Sequence, residues 1–324
     1  MSETFIGKIS VIEPVGQAIE KTKRILFKPF DLGKWFVIGF CAWLATLLEG
    51  GGGGGGNMRG GSHGGRNFEG GFNHARHYIL ENLPWIIPTA VFVFLLAVGV
   101  MLLLAWLRSR GDFMFLHCVA ENKAEVRLPW NKYGKQANSL FVFRLVLSLV
   151  AMACIIPLVL LTIAAVCLIS SRSPAIVGGI AAIIVVVLMF LAMFIIFKLI
   201  GMFLRDFVVP VMYLRGCTCS QAWREVRELL RDNTGSFVLY TLFKIVIAIA
   251  IQAIIIAVVL GTCCMACCVL VIPYIGTVAL LPILVFGRSY SLCYLAQYGD
   301  ALNVFMQRPE VEVVSPPPAE GPVQ

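Results

Sequence analysis

The sequence predicts an all-α protein: a polytopic membrane helical bundle of about six transmembrane helices in three hairpins, with amphipathic helices at the membrane surface. Three observations carry that expectation. Fifty-nine per cent of the 324 residues are hydrophobic and only 14% are charged, whereas a soluble domain carries roughly 25% charged residues. The mean hydropathy is +0.87. Residues 82–107, 145–171, 173–197 and 245–287 contain no Asp, Glu, Lys or Arg, and roughly 20 apolar residues suffice to cross a bilayer core.

Residues 1–31 hold Lys8, Lys21, Lys23, Arg24 and Lys28 without a long apolar core. They read as a cytoplasmic amphipathic segment and not as a cleaved signal peptide. The run WFVIGFCAWLATLL, residues 35–48, is the shortest span candidate. It covers about 21 Å against a core of roughly 30 Å. Extended through Leu32 and Gly33, with Lys34 snorkelling, it is expected to cross over 32–49; a re-entrant segment is the alternative. Further spans are expected at 84–107, 139–170, 174–203, 236–260 and 265–287. The membrane domain then covers 32–300, and the Pro-rich stretch 301–324 reads as a disordered cytoplasmic tail.

Between the first two spans lies GGGGGGGNMRGGSHGGRNFEGGF, residues 50–72. A phosphate cradle needs a strand, a short Gly loop of fixed spacing and a helix N-terminus. Here the glycines run together, and no GxxxxGK[ST] or GxGxxG unit opens a helix. Ordering so many glycines costs conformational entropy. The tract therefore reads as an outer tether, with ligand binding as the lesser reading.

Charge sets the expected topology. Six spans put the N-terminus, 104–138, 204–235 and the C-terminus on one side, with most of the 26 Lys and Arg. The other side holds Arg59, Arg66, Arg76 and Arg172. The positive-inside rule places both termini in the cytoplasm of a cell whose plasma (inner) membrane the chain crosses. The net charge of +8 is then mainly a topology signal that also attracts anionic lipid. Nucleic acid is not an expected partner, because no basic patch is interleaved with stacking aromatics in a soluble domain.

The hairpins repeat. QAIEKTKRILFKPF (17–30), RLPWNKYGKQ (127–136) and QAWREVRELLRD (221–232) precede the odd spans. RGDFMFLHCVAEN, RDFVVPVMYLRG and GRSYSLCYLAQYG follow the even ones. The repeated junction residues are Arg110, Asp112 and Phe113; Arg205, Asp206 and Phe207; and Arg288 and Tyr290. Arg224, Arg227 and Arg231 fall at i, i+3 and i+7, one basic stripe opposite Trp223 and Leu230. With Lys21, Lys23 and Arg24 they are candidates for lipid headgroups, and anchoring at the inner leaflet is the plainer account. No acid is expected inside a span. Arg144, Lys198 and Lys244 lie near the cytoplasmic span ends, with Asp31, Asp112 and Asp206 as their natural partners.

CCMACC offers four thiols at Cys263, Cys264, Cys267 and Cys268, a possible soft-metal set. Apolar filler is the plainer account, and an outer disulfide is a third. His74 and His77, with Glu81 at i+7, have ligand-like helical spacing, against an ordinary polar interfacial face. No cofactor is expected. HExxH and GxSxG are absent and no nucleophile–base constellation stands out, which weighs against a self-contained enzyme.

The stretches AIEKTKRILFKPFDLGKWFVIGFCAWLA, RGDFMFLHCVAENKAEVRLPW and RDFVVPVMYLRGCTCSQAW resemble a group of uncharacterised bacterial six-span proteins. That group in turn resembles the membrane domain attached to some glycerophosphodiester phosphodiesterases. The likeness covers roughly residues 15–300, without a catalytic motif or the soluble barrel. It implies an inner-membrane location and does not imply hydrolysis. The leading expectation is a non-enzymatic protein that organises membrane lipids or a protein partner, including a second copy of itself. A small-solute transporter or channel, and an enzyme or accessory subunit of phospholipid metabolism, are the alternatives. A membrane-impermeant maleimide on Ser62→Cys, without reactive native cysteines, is expected to react from outside intact cells. Reaction only in inverted vesicles would reverse the orientation.

Overall fold

The computed structural model describes residues 10–48, 83–170, 176–262 and 272–306, and the described residues form helices without strands. The N-terminal helix α1 (Glu13–Phe27) opens with Pro14, whose missing N–H costs nothing in a first helical turn. Its buried face is Ala18, Thr22, Ile25 and Leu26, the spacing of an amphipathic helix. Helix α2 (Leu32–Thr46) is capped by Asp31, whose Oδ1 accepts from Gly33 N at 2.8 Å. Helix α3 (Leu83–Glu121) runs for 39 residues and ends at Asn122 with φ 57, a left-handed stop that Asn tolerates. The short α4 (Arg127–Lys132) leads into α5 (Gly134–Ser170).

Helix α6 (Ile176–Phe203) continues through a π-helical turn (Leu204–Val208) into α7 (Val209–Arg215), which Gly216 terminates at φ 63. Helix α8 (Cys219–Asp232) starts with a capping arrangement in which Thr218 N donates to Gln221 Oε1 at 3.1 Å. Then come α9 (Thr234–Gly261), α10 (Pro273–Ala279) and α11 (Leu281–Ala296).

Among the described residues, four segments are long and apolar enough to cross a membrane: Ile87–Glu121, Gly134–Cys167, Ala181–Arg215 and Thr234–Gly261. Their most apolar stretches carry exposed side chains such as Phe92, Phe94, Leu149, Leu188 and Ile249. Apolar surface on that scale belongs in lipid. The core sits instead towards one end of the bundle, the basal end. It is built from Ile38–Ala45 of α2, Phe113–Val119 of α3, Leu204–Tyr213, and Tyr290–Leu295 of α11.

Side-chain contacts place the chain ends together there. Gln297 accepts from Ser10 N and donates to Ser10 O, both at 2.9 Å. Tyr290 donates to Val11 O, and Lys34 donates to Asn122 Oδ1 at 2.7 Å.

Several expectations change against this frame. The segment after span two is not a separate surface helix: α3 runs unbroken through Asp112 to Glu121. The segment after span four likewise continues through the π-turn into α7. Asp112 and Asp206, expected outside the spans, therefore lie inside the helices. The cause is local, since RGDFMFLHCV and RDFVVPVMYL are apolar around single charges and stay helical by burying their faces. Helix α2 stands beside the basal part of α3, with Cys41 at Cys118 and Ala45 at Gly111, and not beside the apolar stretch 84–107. Its 15 residues rise about 22 Å, short of a bilayer core. The third hairpin also differs: α10 packs against α2, with Val278 on Gly39. Residues 301–306, expected in the tail, belong to two 3-10 turns (Asp300–Leu302 and Val304–Met306) that bury Leu302 and Val304. The glycine tract lies outside the described residues.

At Gly111 the backbones of α2 and α3 approach closely. A Cβ there would meet Leu44 C and Ala45 N at 2.6 Å, whereas one at Gly99 meets nothing within 4 Å. Gly111→Ala is expected to destabilise the protein by about 1–3 kcal/mol through overpacking. Gly99→Ala is expected to be neutral or stabilising by about 0.5–1 kcal/mol. Thermal unfolding midpoints in detergent compare the two, and equal midpoints would mean that α2 and α3 do not meet at Gly111.

Candidate functional site

The site begins with one backbone feature. In a regular helix the carbonyl of Arg205 would accept from the N–H of residue 209. Here Val209 N donates instead to Leu204 O, the π pattern, and residue 210 is proline, with no N–H to offer. Arg205 O is thereby released from the helix ladder. The guanidinium of Arg288, on α11, donates to it through Nη1. Turns of this kind re-aim side chains and recur at functional sites; this one carries Arg205 and Asp206.

Around that contact two carboxylates are buried, Asp112 at 2% and Asp206 at 3% exposure. Asp112 Oδ2 accepts from Arg144 Nη2 at 2.6 Å, and its Oδ1 lies 3.9 Å from Arg205 Nε. Arg144 also reaches Ser109 Oγ at 3.4 Å. Asp206 Oδ2 accepts from Lys244 Nζ and from Tyr240 Oη at 3.2 Å. Arg288 is 4% exposed and within the electrostatic reach of both carboxylates. Its Nε and Nη2 have no hydrogen-bond partner among the described residues. The network joins α3, α5, the π-turn, α9 and α11. Burying either carboxylate without its cation would cost several kcal/mol.

A cavity of about 1040 Å³ opens against this network. Its walls are apolar, among them Phe94, Met101, Phe141, Leu147, Phe197 and Leu284. Its charged lining is Arg108, Arg144, Lys198, Arg205 and Lys244, with Asp206 the sole acid among the lining residues. The site can therefore neutralise and hydrogen-bond an anionic group at one end and cover an apolar chain along the other.

The junction residues of the sequence repeat divide accordingly. Asp112, Arg205, Asp206 and Arg288 come together here. Phe113, Phe207 and Tyr290 are buried around them, Phe207 and Tyr290 both against Tyr240. Arg110 stands apart: it donates to Trp130 O at 2.8 Å and lies over the rings of Trp106 and Trp130. Of the expected acid partners, Asp112 and Asp206 do pair with Arg144 and Lys244, while Asp31 serves as a helix cap.

Arg224, Arg227 and Arg231 are exposed on α8, away from the cavity. The apolar face of that helix, Cys219, Ala222 and Val226, is buried in the protein. Burial pushes the Cys219 thiol up to about 12. Lys23 and Arg24 are exposed. Lys21 lies 3.1 Å from the centroid of the Phe305 ring, and burial pulls its ammonium below the ordinary range. Cys263, Cys264, Cys267, Cys268, His74 and His77 lie outside the described residues. No group of three or more His, Cys, Asp and Glu among the described residues is placed to hold a metal ion.

Sequence reasoning passed over Tyr240 and Arg108. It also passed over the buried pair His117 and Tyr213, whose Nδ1 and Oη are 2.9 Å apart. Tyr240, His117 and Tyr213 each stand among apolar neighbours, and Arg108 reads as one of a cluster of charges at a span end; only the helix faces set them apart.

Fold and site together define a helical membrane protein with an ion network buried at the basal end of its bundle. The chain belongs to a family of unknown function (DUF7544), whose model matches residues 9–305. No curated protein and no solved structure matches it, and the family match carries no link to the membrane domains of glycerophosphodiester phosphodiesterases.

The Asp206–Lys244 pair gives a direct check of the network. Asp206→Asn is expected to cost about 3 kcal/mol, the low end for breaking a buried pair, because Lys244 keeps some exposure. Adding Lys244→Met to Asp206→Asn is expected to restore most of that loss in thermal unfolding. Strictly additive losses would mean that the two side chains are not coupled.

Proposed function

We propose that the protein is an integral membrane protein of the plasma (inner) membrane that binds an anionic lipid, with the headgroup at the ion network and the acyl chains along the apolar walls of the cavity. The observation that carries this reading is the cavity lining itself: five cations and one acid at one end, apolar side chains along the rest. A water-soluble metabolite would not need those walls, and a wholly apolar ligand would not need those cations.

The depth of the cations supports the same reading. Arg108, Arg144, Lys198 and Lys244 each end an apolar stretch: 84–107, 145–170, 176–197 and 245–261. At 1.5 Å per residue these stretches measure about 36, 39, 33 and 26 Å, close to the roughly 30 Å of a bilayer core. The cations thus fall near one headgroup boundary. Positive charge biased to that side makes it the cytoplasmic one. The exposed Arg224, Arg227 and Arg231 on α8 would face the same leaflet.

Six passages across the membrane, in three hairpins, fit the contacts at the basal end. Lys34 meets Asn122, Gln136 meets Gly216, Tyr294 meets Ser236 and Ser10 meets Gln297. The chain is at that end at each of these points, and far from it near Leu83, Ser170, Ile176 and Gly261. Four of the six passages would be the long helices, with one more before Leu83 and one more after Gly261. Both termini share the cytoplasmic side in this arrangement.

The test is native mass spectrometry of the protein released from native-lipid nanodiscs. A retained anionic phospholipid of defined mass is expected, and its retention is expected to fall in Arg108→Gln with Lys198→Gln. A protein that leaves the membrane bare, or that carries lipid equally well with and without those cations, would overturn the reading.

A further inference from the structure

Cysteine often serves as a small apolar residue in a core, but two thiols here meet across the seam between α2 and α3. On α2, Ile38, Cys41, Ala42 and Ala45 fall at i, i+3, i+4 and i+7, and all four are buried. That spacing puts them on one helix face. On α3, Gly111, Phe115 and Cys118 fall at i, i+4 and i+7 and are buried as well. The two faces are in contact. A Cβ at Gly111 would lie 2.6 Å from Ala45 N, and Cys41 Sγ is 3.9 Å from Cys118 Sγ. Both cysteines are free thiols with 0% exposure. Cys118 Sγ also lies 3.6 Å from Glu125 O. A disulfide needs its sulfurs about 2 Å apart and its Cα atoms at about 4.4–6.8 Å, a separation that helices with bulky contact residues do not reach. The missing side chain at Gly111 and the small one at Ala45 let the backbones close up one turn from Cys41 and two turns from Cys118.

We propose that Cys41 and Cys118 form a reversible oxidation site, which hydrogen peroxide converts into a disulfide joining α2 to α3. In the first step one sulfur attacks a peroxide oxygen. The O–O bond breaks, a sulfenic acid forms, and the released hydroxide takes the thiol proton as water. In the second step the other sulfur attacks the sulfenic sulfur. The S–S bond forms, the S–O bond breaks, and hydroxide again leaves with a thiol proton as water. Two thiols and one peroxide thus give one disulfide and two waters; the sulfur pair loses two electrons and the peroxide gains them. Burial slows the first step, because the thiolate is the nucleophile. It favours an oxidant that is small and uncharged over a bulky disulfide such as oxidised glutathione. The second step is fast, because the partner sulfur is already in place. A dithiol reductant reverses the bond. The two cysteines are 77 positions apart in the chain, so the bond constrains a long loop of the unfolded protein. Thr46 of α2 and Arg108 of α3 both line the cavity, so the same bond ties two of its walls together.

The experiment uses the full unsubstituted chain in nanodiscs, reduced with dithiothreitol, freed of it, and then treated with hydrogen peroxide. Remaining thiols are blocked with N-ethylmaleimide as the protein is denatured, and the chain is digested with trypsin. Trypsin releases Cys41 in residues 35–59 and Cys118 in residues 111–123, each with no other cysteine. Mass spectrometry is expected to find these two peptides joined, two hydrogens lighter than their sum, only after peroxide and not after a second reduction. The thermal unfolding midpoint of the oxidised protein is expected to rise by about 5 °C or more. Dithiothreitol is expected to return it to the starting value, and Cys118→Ala is expected to abolish the rise. Both peptides recovered separately after peroxide would overturn the proposal, as would either one joined to a different cysteine. A joined pair with a lowered midpoint would mean that the sulfurs meet only when α2 leaves its place on α3, and would overturn the site as described.

Discussion

Two carboxylates buried among apolar helices constrain everything at the basal end of the bundle. Asp112 and Asp206 are nearly inaccessible, and a carboxylate in such a place is tolerable only with cations and hydrogen-bond donors around it. Partners come from three further helices, so the helices cannot shift independently. Arg144 on α5 ties to α3, Lys244 on α9 ties to the π-turn, and Arg288 on α11 ties to the backbone of that turn. The apolar core below then packs in register: Phe207 and Phe237 meet at 5.1 Å, and Tyr240 stacks on Tyr290 at 5.5 Å. Above the network the helices part, and their surfaces are left to lipid.

The π-turn shows how a small sequence feature sets this geometry. Proline in a helix removes a donor and leaves carbonyls unserved in the preceding turn. In Arg205-Asp206-Phe207-Val208-Val209-Pro210 the wider turn and the proline together release Arg205 O, and a buried arginine takes it. The same widening adds a residue to the turn, so neighbouring charged residues leave the regular helical register. Arg205 and Asp206 both reach the cavity wall although they are adjacent in sequence. Strained or irregular helix is tolerated in membranes where it faces protein or a cavity, and this turn does both.

Much of the fold was legible from composition. Long runs without charge announce membrane helices because no soluble surface could carry them. The four longest helices follow those runs closely; α9 at Thr234–Gly261 was expected at 236–260. What the runs could not disclose is where a helix stops when its continuation is still apolar. RGDFMFLHCV reads as the end of a span because of Arg110 and Asp112, yet α3 continues because Phe113, Met114 and Leu116 bury against α2 and its neighbours. The site was legible in part. The repeat of basic, acidic and aromatic residues after even spans marked Asp112, Asp206 and Arg288, and the pairing with Arg144 and Lys244 followed from charge alone. The sorting of Arg110 out of the network was not legible, because it depends on which helix face meets α4. Nor was a cavity, which is a property of how far the helices part.

The repeat also explains how acids and cations are distributed over the site. Aligning the junctions on their aromatics, Phe113, Phe207 and Tyr290, places Asp112, Asp206 and Ser289 in the preceding position. Two hairpins supply an acid there and the third does not. In the first two, the acid is met by a cation from the following odd helix, which closes a local neutral pair. In the third, no acid is made, and the arginine one residue earlier, Arg288, is buried between the other two junctions instead. The departure from threefold symmetry thus puts a buried arginine, and no acid, at the third junction. It leaves five cations and a single acid, Asp206, among the residues that line the cavity.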